Sequence, residues 1–117
     1  MIINSTDSFT ILKPKNDENA NKNKIIVNFH HDFIEKYTNF KDVNLILDFS
    51  NIINLELQEI LLFSQNNKVH KNNKKSFVLV VNGIKFDHLP DEMVVVPTLT
   101  EAKDIVELEN IERDLGI

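Results

Sequence analysis

Residues 43–49 read VNLILDF, and this stretch decides how the chain folds. It is rich in apolar and β-branched residues and lies near the middle of the chain, so it reads as a strand. Downstream, residues 57–69 have helical spacing: Leu57, Ile60, Leu61 and Ser64 share one face, with Leu62 and Phe63 on its flanks. A helix apolar this far round either sits deep or presents a patch to something. Residues 77–81, FVLVV, form a continuous apolar run, as expected of a strand covered on both faces, and Asn82-Gly83 closes it.

Working outward, residues 84–89 read as a short helical turn, broken by Pro90. MVVV at 93–96 is another short buried strand, ended by Pro97. Thr98 with Glu101 fits a capping box, so a last helix is predicted over 98–117, its body from Leu99 to Leu115 and its stop at Gly116. On the N-terminal side, FTIL at 9–12 is a strand that ends at Pro14, and the polar residues 13–24 read as an exposed loop. IIVNF at 25–29 reads as a second strand, able to pair with the first across that loop. Phe29, Phe33, Tyr37 and Phe40 then recur at helical spacing, an aromatic stripe expected in the core.

Strands thus alternate with helices, and each strand is short and apolar. That order indicates an α/β layer fold: a mixed, mostly parallel sheet of four to five strands with helices packed on it. At 117 residues, 42% hydrophobic and 26% charged, the chain is one domain, 1–117. It contains no cysteine, which excludes disulfides, thiolate metal sites and thiol nucleophiles. Two glycines exclude the usual glycine-rich phosphate cradle.

The net charge of −5 and a single arginine, Arg113, argue against nucleic acid as a partner. No signal-like leader and no long apolar run is visible, so a cytoplasmic protein with no membrane contact is expected. Lys68, His70, Lys71, Lys74 and Lys75 cluster, and Glu101, Asp104, Glu107, Glu109, Glu112 and Asp114 crowd the last helix. Such asymmetry either orients a partner or reflects a helix dipole and a solvated face.

The last helix carries an anomaly. Ala102, Ile105 and Val106 define one apolar face, whereas Leu108, Ile111 and Leu115 define another, turned well away from it. Either the helix bends near Glu107, or its end packs on a partner or a second copy of the chain, or it wraps back over the first strands.

Catalytic chemistry needs convergent groups with matched roles. His30, His31, His70 and His88 show no metal-ligand spacing, and no serine sits in a nucleophile elbow. Asp48 and Asp87 follow strands, where carboxylates serve either function or capping. No catalytic residue, cofactor or metal is assigned, and no enzyme is expected.

At Asp48 and Ser50 the stretch 44–63, NLILDFSNIINLELQEILLF, resembles the central part of a STAS domain, the fold of bacterial anti-sigma factor antagonists. The family's strand-end Asp and Ser fall on Asp48 and Ser50, its later Asp on Glu56, and its Ser-Ser-Gly on Leu57-Gln58-Glu59. FVLVVNGI at 77–84 and MVVVPTLTEA at 93–102 resemble the next strand and the last strand with its helix. Signalling members are phosphorylated by a partner kinase on the second serine, where this chain has Gln58. Glu56 and Glu59 either supply a fixed negative surface or simply suit the helix dipole.

Residues 89–116 also resemble a narrower group: small STAS-like proteins of Bacteroidetes-type bacteria, often encoded beside ribonuclease Z. The HxHxDH motif that ribonuclease Z needs is absent. The resemblance implies a non-catalytic regulatory module that binds a protein, either an anti-sigma factor-like kinase or a ribonuclease Z-like hydrolase. The alternatives are an accessory partner of such a hydrolase and a variant that senses a nucleotide or other small molecule. Expected contact positions are Asn54, Glu56, Gln58, Glu59 and Leu62 at the helix start, all exposed. Leu108, Ile111 and Leu115 form a second surface, and a homodimer is possible there.

Overall fold

The computed structural model describes residues 1–16, 20–83 and 86–116. Five strands, β1 (Ile2–Ser5), β2 (Thr10–Lys13), β3 (Leu45–Asp48), β4 (Phe77–Val80) and β5 (Val94–Val96), form one sheet in chain order. β1 pairs antiparallel with β2; β2, β3, β4 and β5 run parallel. The helices are α1 (Lys22–Lys36), α2 (Leu57–Leu61), α3 (Ser64–Asn72) and α4 (Leu99–Asp114), with short 3-10 turns at Tyr37–Asn39 and Phe86–His88. The fold is therefore α/β with a mixed, mostly parallel sheet. No described helix is long and apolar enough to cross a membrane.

Period-two alternation divides the core into two layers. Leu12, Leu45, Leu47, Phe49, Phe77, Leu79 and Val81 meet Ile26, Phe29 and Phe33 of α1, Ile60 of α2, and Phe63. Ile46, Val78, Val80 and Val96 meet Ala102 and Val106 of α4 on the other face. Because the parallel strands advance in one direction, a constant crossover hand puts the connections between parallel strands on the first face. Leu89 and Met93, between β4 and β5, pack there too.

Four local expectations are corrected. Residues 25–29 are not a strand but part of α1, because Asn21 caps that helix through Lys24 N at 2.8 Å and Ile26, Phe29 and Phe33 fall on one face. The exposed loop is accordingly shorter than 13–24: Lys13 ends β2, residues 22–24 are helical, and residues 17–19 lie outside the described part. The partner of β2 is β1, an edge strand whose four residues are all exposed. Residues 57–69 do not make one helix. The chain breaks at Leu62-Phe63, which turns Ile60, Phe63, Asn67 and His70 inward in succession.

Of the short turn predicted at 84–89, residues 84 and 85 lie outside the described part. For α4 the prediction holds over its described length: Thr98 Oγ1 accepts from Glu101 N at 3.2 Å, and Gly116 takes the left-handed conformation at φ +74°. Its inner line runs Ala102, Val106, Asn110, Arg113, so polar side chains face inward at the last turns. Leu108, Ile111 and Leu115 do not wrap over the first strands; they are 56%, 56% and 69% exposed.

Candidate functional site

β3 ends at Asp48, which is buried and accepts a hydrogen bond from Ser50 N at 2.9 Å. That bond turns the chain off the sheet, the ordinary use of an Asp after a strand. Phe49 N still donates to Val80 O, Ile52 N donates to Phe49 O, and Asn82 Nδ2 donates to Ser50 O at 2.9 Å. Ile52 and Leu55 are buried and anchor the loop. Between them Ile53 is held 79% exposed, and Asn54 adopts φ +59°, a left-handed conformation that Asn tolerates better than most residues.

α2 starts next. Glu59 reaches back to accept from Glu56 N at 3.0 Å, the returning half of a capping box. Lys22, in the first turn of α1, donates to Asn54 O and lies 3.1 Å from Glu56 Oε1 and 3.3 Å from Glu59 Oε1. Desolvation disfavours its charge, but the bonds to Glu56 and Glu59 win and hold its pKa above the usual lysine value. Glu59 Oε2 is buried with no hydrogen-bond partner among the described residues.

Asn54, Glu56, Gln58 and Leu62 are exposed, as expected, along this loop and helix. Glu59 is not: it is buried, because its carboxylate closes the helix start and pairs with Lys22. The sequence reading missed Ile53. A pair of isoleucines, Ile52 and Ile53, between Asn51 and Asn54 was the available signal. Leu108, Ile111 and Leu115 lie on α4, whose core contacts are on the opposite sheet face from those of Ile60 in α2. The structure therefore does not join the two sets into one surface.

Among the described residues, Asp48, Ser50 and His88 are not joined into one hydrogen-bonded group. Asp48 is spent on Ser50 N, and His88 is exposed on its 3-10 turn; no hydrogen bond among the described residues joins His88 to either. His30 and His31 sit mid-helix and project to different sides. His30 Nε2 meets Asn66 Oδ1 of α3 at 2.8 Å, and His31 Nε2 lies 3.7 Å from Glu35 Oε1. His31, Asp32 and Glu35 bring one ligand atom each to within 4.8 Å, with two of the three residues exposed. No spacing rule used on the sequence would have grouped them.

His70 departs from its lysine neighbours and belongs to the core, where Nε2 bonds Val43 O at 2.7 Å and Nδ1 meets Tyr37 Oη at 2.6 Å. Shallow pockets surround β3's end. One of about 240 Å³ is lined in part by Lys15, Lys22, Ile25 and Ile53, and one of about 220 Å³ in part by Ser50, Asn54 and Asn82. Both are smaller than ordinary small-molecule sites, which run from roughly 300 Å³ upward.

Compared with models of known protein families and with curated proteins, the chain matches none.

Proposed function

We propose that the chain is a non-catalytic, STAS-like protein-binding module that docks its partner on the β3–α2 loop and the outer side of α2. The observation that carries this reading is Ile53. Five hydrogen bonds hold the loop around it, yet leave it 79% exposed. Ordering a loop costs about 1–2 kcal/mol per residue in backbone entropy, and a large aliphatic side chain left in water recovers none of it. Such a side chain, five and nine residues before the exposed Gln58 and Leu62, makes an anchor for a partner.

The chain order of strands and helices, and the position of Asp48 and Ser50 at a parallel strand's end before α2, support the STAS-like assignment. With Gln58 in the place of the family's phosphorylated serine, the surface carries no switch at that position. The partner is a protein, of the anti-sigma factor-like kinase or ribonuclease Z-like kind that the resemblance implies.

α4 offers a second contact with a legible preference. Leu108, Ile111 and Leu115 follow the 3–4 spacing of a coiled-coil seam. The flanking positions are Glu107, Glu112 and Asp114, all exposed and all acidic. Self-pairing in either direction sets acid against acid, so this seam suits another protein better than a second copy.

The test is affinity capture with the native chain and with Ile53→Asp and Gln58→Lys, each first checked for an unchanged melting temperature. A protein retained by the native chain and lost from both variants is the expected result. Identical retention by all three would overturn the site.

A further inference from the structure

Lys71, Lys74, Lys75 and Arg113 line one pocket of about 260 Å³ with Glu109, in a chain whose net charge is −5. Lys71, Lys75 and Arg113 are half-buried. No described carboxylate lies within ion-pairing distance of any of the four cations. Arg113 is nevertheless fixed: its Nη2 donates to Asn110 Oδ1 at 2.8 Å, Ser76 Oγ at 3.0 Å and Asn44 Oδ1 at 3.1 Å. All three acceptors are neutral. They orient the guanidinium without neutralising it, and they occupy one nitrogen only.

Helix dipoles are the competing explanation, because Lys71 and Arg113 lie in the last turns of α3 and α4. The magnitudes decide against it. Four cations against the carboxylates of Glu109 and Glu92, whose backbone O accepts from Lys71 Nζ, leave a formal +2, and two helix ends contribute roughly −0.5 each, so about +1 remains uncompensated. Burial also pulls the pKa of Lys71 below the usual lysine value, against the weaker opposing pull of Glu109 and Glu92. An unneutralised, partly desolvated cluster costs stability, and such local costs mark binding sites.

We propose that this pocket binds a small dianion, the phosphate group of a small molecule, between the C-terminal ends of α3 and α4. Arg113 presents its remaining N–H groups to the phosphate oxygens, and Lys71, Lys74 and Lys75 supply charge around it. At about 260 Å³ the pocket holds a phosphate or pyrophosphate group and little more. This site is at the opposite end of the strands from the β3–α2 loop, since Asn44 and Ser76 precede β3 and β4. It does not depend on the protein-docking reading.

The test is an amide chemical-shift titration of the full chain with inorganic phosphate, pyrophosphate and glycerol 3-phosphate, against sodium chloride at matched ionic strength. Saturable shifts confined to residues 71–76 and 109–113 are expected, with none from chloride. Stronger saturation by glycerol 3-phosphate than by inorganic phosphate would assign the site to phosphate esters, and the reverse to the free ion. Lys74→Ala with Lys75→Ala should weaken binding at least tenfold, whereas Lys68→Ala, outside the pocket, should leave it unchanged. Shifts that are linear, equal in chloride, or spread over Lys22, Lys24 and Lys36 would mean counter-ion screening only and would overturn the proposal.

Discussion

Tyr37 Oη lies 2.6 Å from His70 Nδ1, so the buried ring is hydrogen-bonded at both of its nitrogens. A carbonyl only accepts, so Nε2, at 2.7 Å from Val43 O, carries the proton. Nδ1 of the neutral ring therefore accepts from the Tyr37 hydroxyl. Burial, with a smaller contribution from Lys75, pulls the pKa of His70 below its ordinary 6.5, against the bond to Val43. The unfolded chain then takes up the proton first as the pH falls. The contribution of His70 is fully present above about pH 6.5 and is lost as the pH drops from there towards the folded pKa. Melting curves between pH 7.5 and 5.5 should show that decline, and imidazole NMR should show the Nε2–H tautomer at neutral pH. A protonated His70 ring at pH 7 would contradict it. Tyr37→Phe should cost about 1–3 kcal/mol by leaving Nδ1 unpaired.

Asn44 joins three elements through one amide. Its Oδ1 accepts from Ser76 N at 2.9 Å and from Arg113, and its Nδ2 donates to Ser8 O and Asn110 Oδ1, each at 3.0 Å. Ser76 N is buried, so Asn44→Ala strands a donor as well as freeing the end of α4. A loss of about 2–3 kcal/mol is expected from urea unfolding at constant m-value. A loss below about 0.5 kcal/mol would show that water replaces the amide.

Phe33 is fully buried, with ring centroids of Tyr37, Phe40, Phe63 and Phe77 between 5.5 and 6.4 Å away. It links α1 to β4 and to the α2–α3 break. Phe33→Ala should cost about 3–5 kcal/mol, a large share of the stability of a domain this size. Chemical denaturation would read it directly, and a cost near 1 kcal/mol would mean that the aromatic cluster closes over the gap.

Ile111 touches solvent, so Ile111→Ser should change the monomer by no more than about 0.5 kcal/mol. It should weaken a complex formed through α4 far more, and the milder Ile111→Ala should do so in the same direction. Parallel measurement of melting temperature and partner affinity separates the two effects. Equal loss of both would show that the seam serves the fold and not a partner. Sedimentation of the native chain should show no dimer that Ile111→Ser dissolves, given the acids at 107, 112 and 114.

β3 and β4 were legible because both faces of each are covered, which leaves a run of apolar residues with nothing else to explain it. α4 was legible through its ends, Thr98 and Gly116. Residues 25–29 were misread because β-branched residues in a row favour a strand locally; the packing of Ile26, Phe29 and Phe33 against the sheet outweighs that preference. β1 escaped notice because an edge strand with four exposed residues has no apolar face to read. Of the candidate contact residues, Glu59 alone among those at the α2 start proved buried, since its partner Lys22 is 37 positions earlier in the chain.

The sequence by itself determined the class of fold, the places of β2, β3, β4 and β5 along the chain, the aromatic core of α1 and the absence of thiol chemistry. These follow from short-range periodicity and composition, which solvent exclusion reads residue by residue. Tertiary structure alone decided that His70 and Asn44 are interior groups, that Arg113 meets three lysines, and that Ile53 is held out in solvent. Each of those depends on partners tens of residues away, and a polar or apolar side chain carries no local mark of whether the fold will satisfy it.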